Sequence, residues 1–293
     1  MKGTTNMNYI IGKLKDNRTR STIFLLITAV LWSLGGLMIK SIHWNAVAIA
    51  GSRSFIASLL MLVILKKPSL KFDRYKLGSA VAYACTVISF VAANKFTAAA
   101  TAILLHYTAP IYVALFSAWF LKERIARLDW IVIFLVIGGM ILFFVGEMSA
   151  GSILGNVLAI LSGVGFAFIV LLLRKQKDEN PLESVFWGNV LTAIIGLPFM
   201  FTSVPDTASC IGILFIGVFQ LGLPYILYAY AIKHVSALEA TLIPIIEPIL
   251  NPLWVFLALG ESPGPWAFLG GFIVLSSIIG RSVININKAK RVG

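Results

Sequence analysis

The stretch "YTAPIYVALFSAWFLKE", Tyr107 to Glu123, returns in altered form as "IIEPILNPLWVFLALGE", Ile245 to Glu261. The copies align on Pro110 and Pro248, 138 residues apart, with Ile111 over Ile249, Leu115 over Leu253, Phe116 over Trp254 and Glu123 over Glu261. The register holds upstream, where Lys95 meets Lys233, Ala99 meets Ala237 and Ala102 meets Ala240. One difference is chemical: Ala109 precedes the proline in the first copy and Glu247 in the second.

The segments around both copies are apolar throughout. The 293-residue chain is 59% hydrophobic and 12% charged, against roughly 45–50% and about 25% in soluble domains, so it reads as an all-α integral membrane protein. Its net charge of +12 would suit nucleic acid in a soluble chain, but the Lys and Arg sit between apolar runs and no basic recognition-helix pattern is present, which excludes that class. Runs long enough to cross about 30 Å of hydrocarbon at 1.5 Å per residue recur ten times, at 21–39, 46–65, 77–94, 97–120, 129–146, 152–174, 182–202, 208–231, 236–259 and 265–284. The first is read as a retained span rather than a cleaved signal, since no small-residue cleavage site follows a short core. Cys85 and Cys210 lie in or beside apolar runs, as small hydrophobes do.

With the N-terminus in the cytoplasm, 21 of the 24 Lys and Arg fall on the inner side and only Lys40, Arg53 and Lys95 lie on or towards the outer, as the positive-inside rule requires. Both termini are therefore expected in the cytoplasm of a cell with the chain in its inner membrane. The first copy of the repeat lies in span four and the second in span nine, an odd number of crossings later. The loops agree: basic "KERIAR" follows span four, and "GESPGP", with no positive charge, follows span nine. Similar sequence in opposite topology is the mark of inverted repeats, which in secondary transporters meet at a site near the midplane. The expected organisation is a tail at 1–20, five-helix repeats at 21–146 and 152–284, and a second tail at 285–293.

The chain resembles the EamA-type branch of the drug/metabolite transporter superfamily. The resemblance rests on the ten spans in two halves, "APIYVALFSAWFLKER" ending span four, "EPILNPLWVFLALGE" in span nine, "LWSLGGLMIK" in span one, "GSRSFIASLLMLVIL" in span two and "RKQ" closing span six. It implies a gradient-driven, alternating-access carrier of small organic solutes, often an exporter of amino acids, amines or related metabolites. No phosphate-binding loop of the G-x-x-x-x-G-K-[ST] type is present to drive it with ATP, and no cofactor is expected.

Glu247 lies eleven residues into span nine from Ser236, roughly 16 Å deep at 1.5 Å per residue. An ionised carboxylate there costs several kcal/mol unless paired, solvated or protonated, so Glu247 is the candidate for both substrate binding and proton coupling. The alternative is a neutral Glu holding helices together. Pro244, Pro248 and Pro252 each lack the N–H that would bond the carbonyl four places back, freeing those of Ala240, Pro244 and Pro248 for an ammonium group. Asn251, one turn beyond Glu247, shares its face. In span four, Pro110 frees the carbonyl of His106, and His106 and Tyr107 sit at similar depth as binding candidates. Arg53, eight residues into span two, is read as an anchor whose long stem snorkels outward, with Asn189 at the comparable place in span seven. On helices that the resemblance places around a cavity, Tyr83, Gln220, Tyr225 and Tyr228 are further candidates, Gln220 and Tyr228 sharing a face by their spacing. Trp32 and Trp187 complete the set. Glu239, near the start of span nine, is expected to be satisfied by loop water or Lys233, and Glu123 to cap or anchor a helix end.

The rival classes are a membrane-embedded enzyme and a non-transporting membrane scaffold. The enzyme lacks support, because Asp16, Asp73, Asp129, Asp178 and Asp206 all fall in tails or joints and no H-E-x-x-H is present; no metal is expected. The expected partners are a small-molecule substrate and the lipid bilayer, with monomer and homodimer both open.

Overall fold

The computed structural model describes residues 2–145, 152–250 and 264–292, with backbone alone at 2–15, 36–37 and 285–292. Every regular element among them is helical: α1 (Lys2–Ser33), α2 (Gly35–Ser41), α3 (Ala46–Leu65), α4 (Arg74–Phe96), α5 (Ala99–His106), α6 (Ala109–Phe120), α7 (Arg127–Phe143), α8 (Ile153–Lys175), α9 (Pro181–Met200), α10 (Thr207–Phe215), α11 (Leu223–Ala231), α12 (Ala237–Leu242) and α13 (Pro265–Val292). A π-helical turn, Ile216–Gly222, joins α10 to α11, and a 3₁₀ turn, Ile243–Ile245, follows α12. Asn251, Pro252 and Glu261 lie outside the described residues.

Polar residues start the helices where the chain re-enters the apolar layer. The Asn45 side chain accepts from the N–H groups of Val47 and Ala48 at 2.8 and 3.3 Å, and Asp73 from Tyr75 and Lys76 at 2.7 and 2.8 Å. Ser236 and Glu239 form a capping box on α12, satisfying donors that a helix start leaves orphaned. Asp206 accepts from the Ser209 N–H, which holds its carboxyl below its ordinary value.

Among the described residues, eight helical segments are long and apolar enough to cross a membrane: Asp16–Ser41, Ala46–Leu65, Arg74–Phe96, Ala99–Phe120, Ile153–Lys175, Pro181–Met200, Thr207–Ala231 and Pro265–Ile284. Their outward faces are apolar, with Trp119 80% and Phe272 70% exposed, which water would penalise and lipid would not. The chain is a multi-pass helical membrane protein. The expected fifth span corresponds to α7, only 17 residues long, and the expected ninth runs past residue 250. The terminal segments are helical where described: α1 begins at Lys2 and α13 continues to Val292, since charge alone does not end a helix.

Inside the bundle α4 packs on α8, α3 on α9, α7 on α13, and α1 on α11. Span four, expected as one helix, is broken. Pro110 lies in the first turn of α6, where its missing N–H is tolerated, and Tyr107 and Thr108 fall between α5 and α6. The carbonyl of His106 is left facing Gly163 of α8; a Cβ added there would sit 2.6 Å from that oxygen. The close approach requires a residue without one.

Candidate functional site

Glu247 and Arg53 line one cavity of about 50 Å³, together with Trp32, His106, Gln220 and Tyr225. It is lined from α1, α3, α4, α5, α8, the π turn, α11 and the helical segment that starts at Ile246 and bears Glu247. Pockets that bind organic ligands span roughly 300–1,000 Å³, so this conformation is constricted at the site.

Each polar group at the site is held from a different helix. Glu247 is buried, 8% exposed, and bonded to the Tyr107 hydroxyl from the break in span four. The same hydroxyl lies 3.2 Å from the Pro244 carbonyl, which Pro248 has deprived of its helical partner. Tyr228 donates to the Ala240 carbonyl at 3.0 Å, freed in the same way by Pro244. Two of the freed carbonyls are thus taken by tyrosines rather than left for a solute, which corrects the expectation from the prolines alone. Proline vacates an acceptor, and the nearest phenol fills it.

His106 Nδ1 lies 2.9 Å from Ser162 Oγ, whose own proton goes to the Ala159 carbonyl at 2.7 Å. The hydroxyl can then only accept, so Nδ1 carries the proton and Nε2 of a neutral ring does not. The ring packs against Phe90, Tyr107 and Phe166 with centroids 5.0–5.4 Å apart. His106 is at once satisfied and cavity-lining.

Arg53 does not snorkel. It is 1% exposed, and its Nη1 donates to Gln220 Oε1 at 2.7 Å. Gln220 belongs to the π turn, a distortion that recurs at functional sites. Gln220 meets Arg53 while Tyr228 turns to Ala240. Tyr225 and Trp32 meet at 5.3 Å over the cavity, and Tyr83 abuts Tyr225 at 4.8 Å while donating to Asn189 Oδ1 at 3.1 Å. Tyr83 and Asn189 therefore sit behind the cavity wall rather than on it. Trp187 is placed elsewhere: its Nε1 donates to the Ser69 carbonyl at 3.1 Å and its ring packs on Phe72 at 5.0 Å, fastening the loop between α3 and α4. Thr86, Phe90 and Phe166 also line the cavity and were not anticipated, because a Phe within a wholly apolar run carries no signal of direction.

One end of the bundle is tied by ion pairs. Glu123 takes Arg174 Nε at 2.7 Å on one carboxylate oxygen and the Ala237 N–H at 3.0 Å on the other, so it caps α12 as expected of a helix-end residue. Lys76 pairs with Glu183 at 2.7 Å and Arg281 with Asp129 at 2.8 Å. Glu239 pairs with Arg18 at 2.5 Å and Arg281 at 3.7 Å; Lys233, its expected partner, donates instead to the Glu179 carbonyl at 2.9 Å.

A helical membrane bundle with charged groups gathered at an internal cavity defines a class, and comparison with known proteins narrows it. The model of the EamA-like transporter family matches residues 19–145 and again 153–283. The chain belongs to that family, within the drug/metabolite transporter superfamily. It is 27% identical over 260 residues to an uncharacterised transporter of Archaeoglobus fulgidus, covering 87% of this chain and 93% of the relative. It is likewise 27% identical over 239 residues to the pseudopaline exporter CntI of Pseudomonas aeruginosa, covering 78% and 84%. A crystal structure matches with a TM-score of 0.76 over 89% of this chain and 96% of the other, at 14% identity, a likeness of fold alone.

Proposed function

We propose that the chain is a secondary active transporter, not an enzyme. It moves a small organic metabolite, an amino acid, an amine or a similar zwitterion or cation, across the cytoplasmic membrane by alternating access, as a proton-coupled exporter. The observation that carries this reading is the placement of Glu247 on an internal cavity and in hydrogen-bond contact with Tyr107, since a buried carboxyl in a membrane bundle is costly unless it serves a solute or a proton. An exporter among the relatives is in keeping with the direction.

Ten crossings in two inverted halves, 21–146 and 152–284, complete the proposal. Two tandem family matches support it. So does the packing: exchanging each span for the one five later turns the α4–α8 contact into α11–α1 and leaves α3–α9 and α7–α13 unchanged. The break at Tyr107–Thr108 also falls 138 residues before the 3₁₀ distortion ending at Ile245.

The test is flux into proteoliposomes loaded with candidate solutes, with and without an imposed pH gradient. Saturable uptake that the gradient accelerates and Glu247→Gln uncouples is the expected result. Chemical conversion of a solute, or flux that does not saturate, would overturn the proposal.

A further inference from the structure

The partly and fully buried cations of this bundle are treated differently. Lys76, Arg174, Arg281 and Arg18 each meet a carboxylate at 2.5–2.8 Å, and the partly buried Lys95 and Lys233 meet backbone carbonyls near the ends of helices. Arg53 is more deeply buried than any of them, yet among the described residues no Asp or Glu forms an ion pair with it. Its Nη1 bonds the neutral amide of Gln220 and its Nε has no hydrogen-bond partner. A guanidinium is permanently charged and offers five donors in a planar fork. Leaving it so under-partnered within the hydrocarbon layer is costly, and an anion entering the cavity it lines would repay that cost.

The surroundings of Arg53 are specific to this arrangement. Gln220 is presented by the π turn, and its side chain lies over Gly35, where any Cβ would come within 2.5 Å of Nε2. Glu247 lines the same cavity but bonds Tyr107 instead of Arg53. A guanidinium and a carboxyl therefore face one small space without neutralising each other.

We infer that Arg53, steadied by Gln220, is an anion subsite, and that the solute is a zwitterion whose carboxylate docks on Arg53 while its ammonium faces Glu247. The inference rests on the transporter reading of the same cavity and narrows it. A carboxylate fits the guanidinium fork in two parallel hydrogen bonds. A phosphate would bring a second charge to a wall on which Arg53 is the one permanent cation among the described residues. A solute with an amine and no acid would set a second positive charge beside Arg53.

Matched ligand sets test this on the wild-type protein in nanodiscs, by thermal shift and then by counterflow in liposomes. Each set holds an α-amino acid, its carboxamide and its decarboxylated amine. Members that keep the carboxylate are expected to bind about tenfold or more tightly than their partners, as when a site built for a polar group meets an analogue lacking it. Arg53→Gln levels or inverts the preference for acid over amide, whereas Arg53→Lys keeps its direction. Loss of fold lowers all three ligands together and cannot invert a ratio. Amines or amides that bind and move as well as the acids in wild type, or an acid preference that survives Arg53→Gln, overturn the subsite and leave the transporter reading standing. Saturable binding and flux for no member of any set overturns both.

Discussion

The hydroxyl of Tyr107 joins Glu247 across the two broken helices, and it has one proton for two neighbours, the Glu247 carboxyl and the Pro244 carbonyl. An ionised Glu247 and Pro244 would both be acceptors, leaving one unsatisfied. A protonated Glu247 donates to the phenol oxygen, which passes its own proton to Pro244, and all three are satisfied. Two variants then separate cleanly. Glu247→Gln offers an amide N–H in place of the acid proton, so its thermal stability is expected within about 0.5 kcal/mol of wild type, while flux loses its dependence on a pH gradient. Tyr107→Phe strands a buried carbonyl and a buried carboxyl, at a cost of about 1–3 kcal/mol. Thermal unfolding in detergent, read beside liposome flux, checks both; an equal loss of stability in the two variants would refute the proton count.

Gly163 gives a second prediction. Because a Cβ there would sit 2.6 Å from the backbone carbonyl oxygen of His106, Gly163→Ala must push α8 off the break between α5 and α6. Overpacking of this kind costs about 1–3 kcal/mol. The exposed and unobstructed Gly138, with nothing within 4 Å of an added Cβ, is the control. Gly138→Ala is expected to leave the melting temperature unchanged or slightly raised, and Gly163→Ala to lower it.

Much of this architecture was legible in the chain. Apolar runs mark the crossings because lipid demands them, and the prolines around Glu247 and Tyr107 mark the breaks because they remove backbone donors. Glu247 itself stood out as an acid within an apolar run. What could not be read was partnership. Whether Arg53 snorkels or turns inward depends on Gln220, 167 residues away, and Gln220 is aimed by a π turn that no residue pattern announces. The occupation of the freed carbonyls by Tyr107 and Tyr228, and the removal of Trp187 to the α3–α4 loop, are likewise settled by helices distant in sequence.

Orientation is tested at two well-exposed loop positions, Leu70 after α3 and Val204 after α9, 76% and 94% exposed. From the distribution of Lys and Arg, the first is expected inside and the second outside. In a background with Cys85 and Cys210 replaced, Leu70→Cys is expected to react with a membrane-impermeant maleimide only after the cells are opened, and Val204→Cys in intact cells. The opposite pattern would overturn the proposed topology and, with it, the proposal of an exporter.

The last prediction concerns which end of the bundle holds it closed. Glu123 binds Arg174 and caps α12, while Arg174 also donates to the Ile232 and Lys233 carbonyls at 3.0 and 2.9 Å, at the end of α11. One carboxylate and one guanidinium thus tie span four, span six, the end of α11 and the start of α12 together at a single end. By the positive-inside reading this end is cytoplasmic. A carrier that alternates must release these ties to open inward, so weakening them should shift the population towards the inward-open state. Glu123→Gln keeps the shape and hydrogen-bonding of the cap but removes the charge, and a loss of about 1 kcal/mol corresponds to roughly a fivefold change in that equilibrium. With Thr86→Cys as a reporter on the cavity wall, labelling from the cytoplasmic side of inside-out vesicles is expected to quicken by about that factor in Glu123→Gln, and labelling from the outer side to slow. Faster labelling from the outer side would mean that the ion pairs fasten the opposite gate.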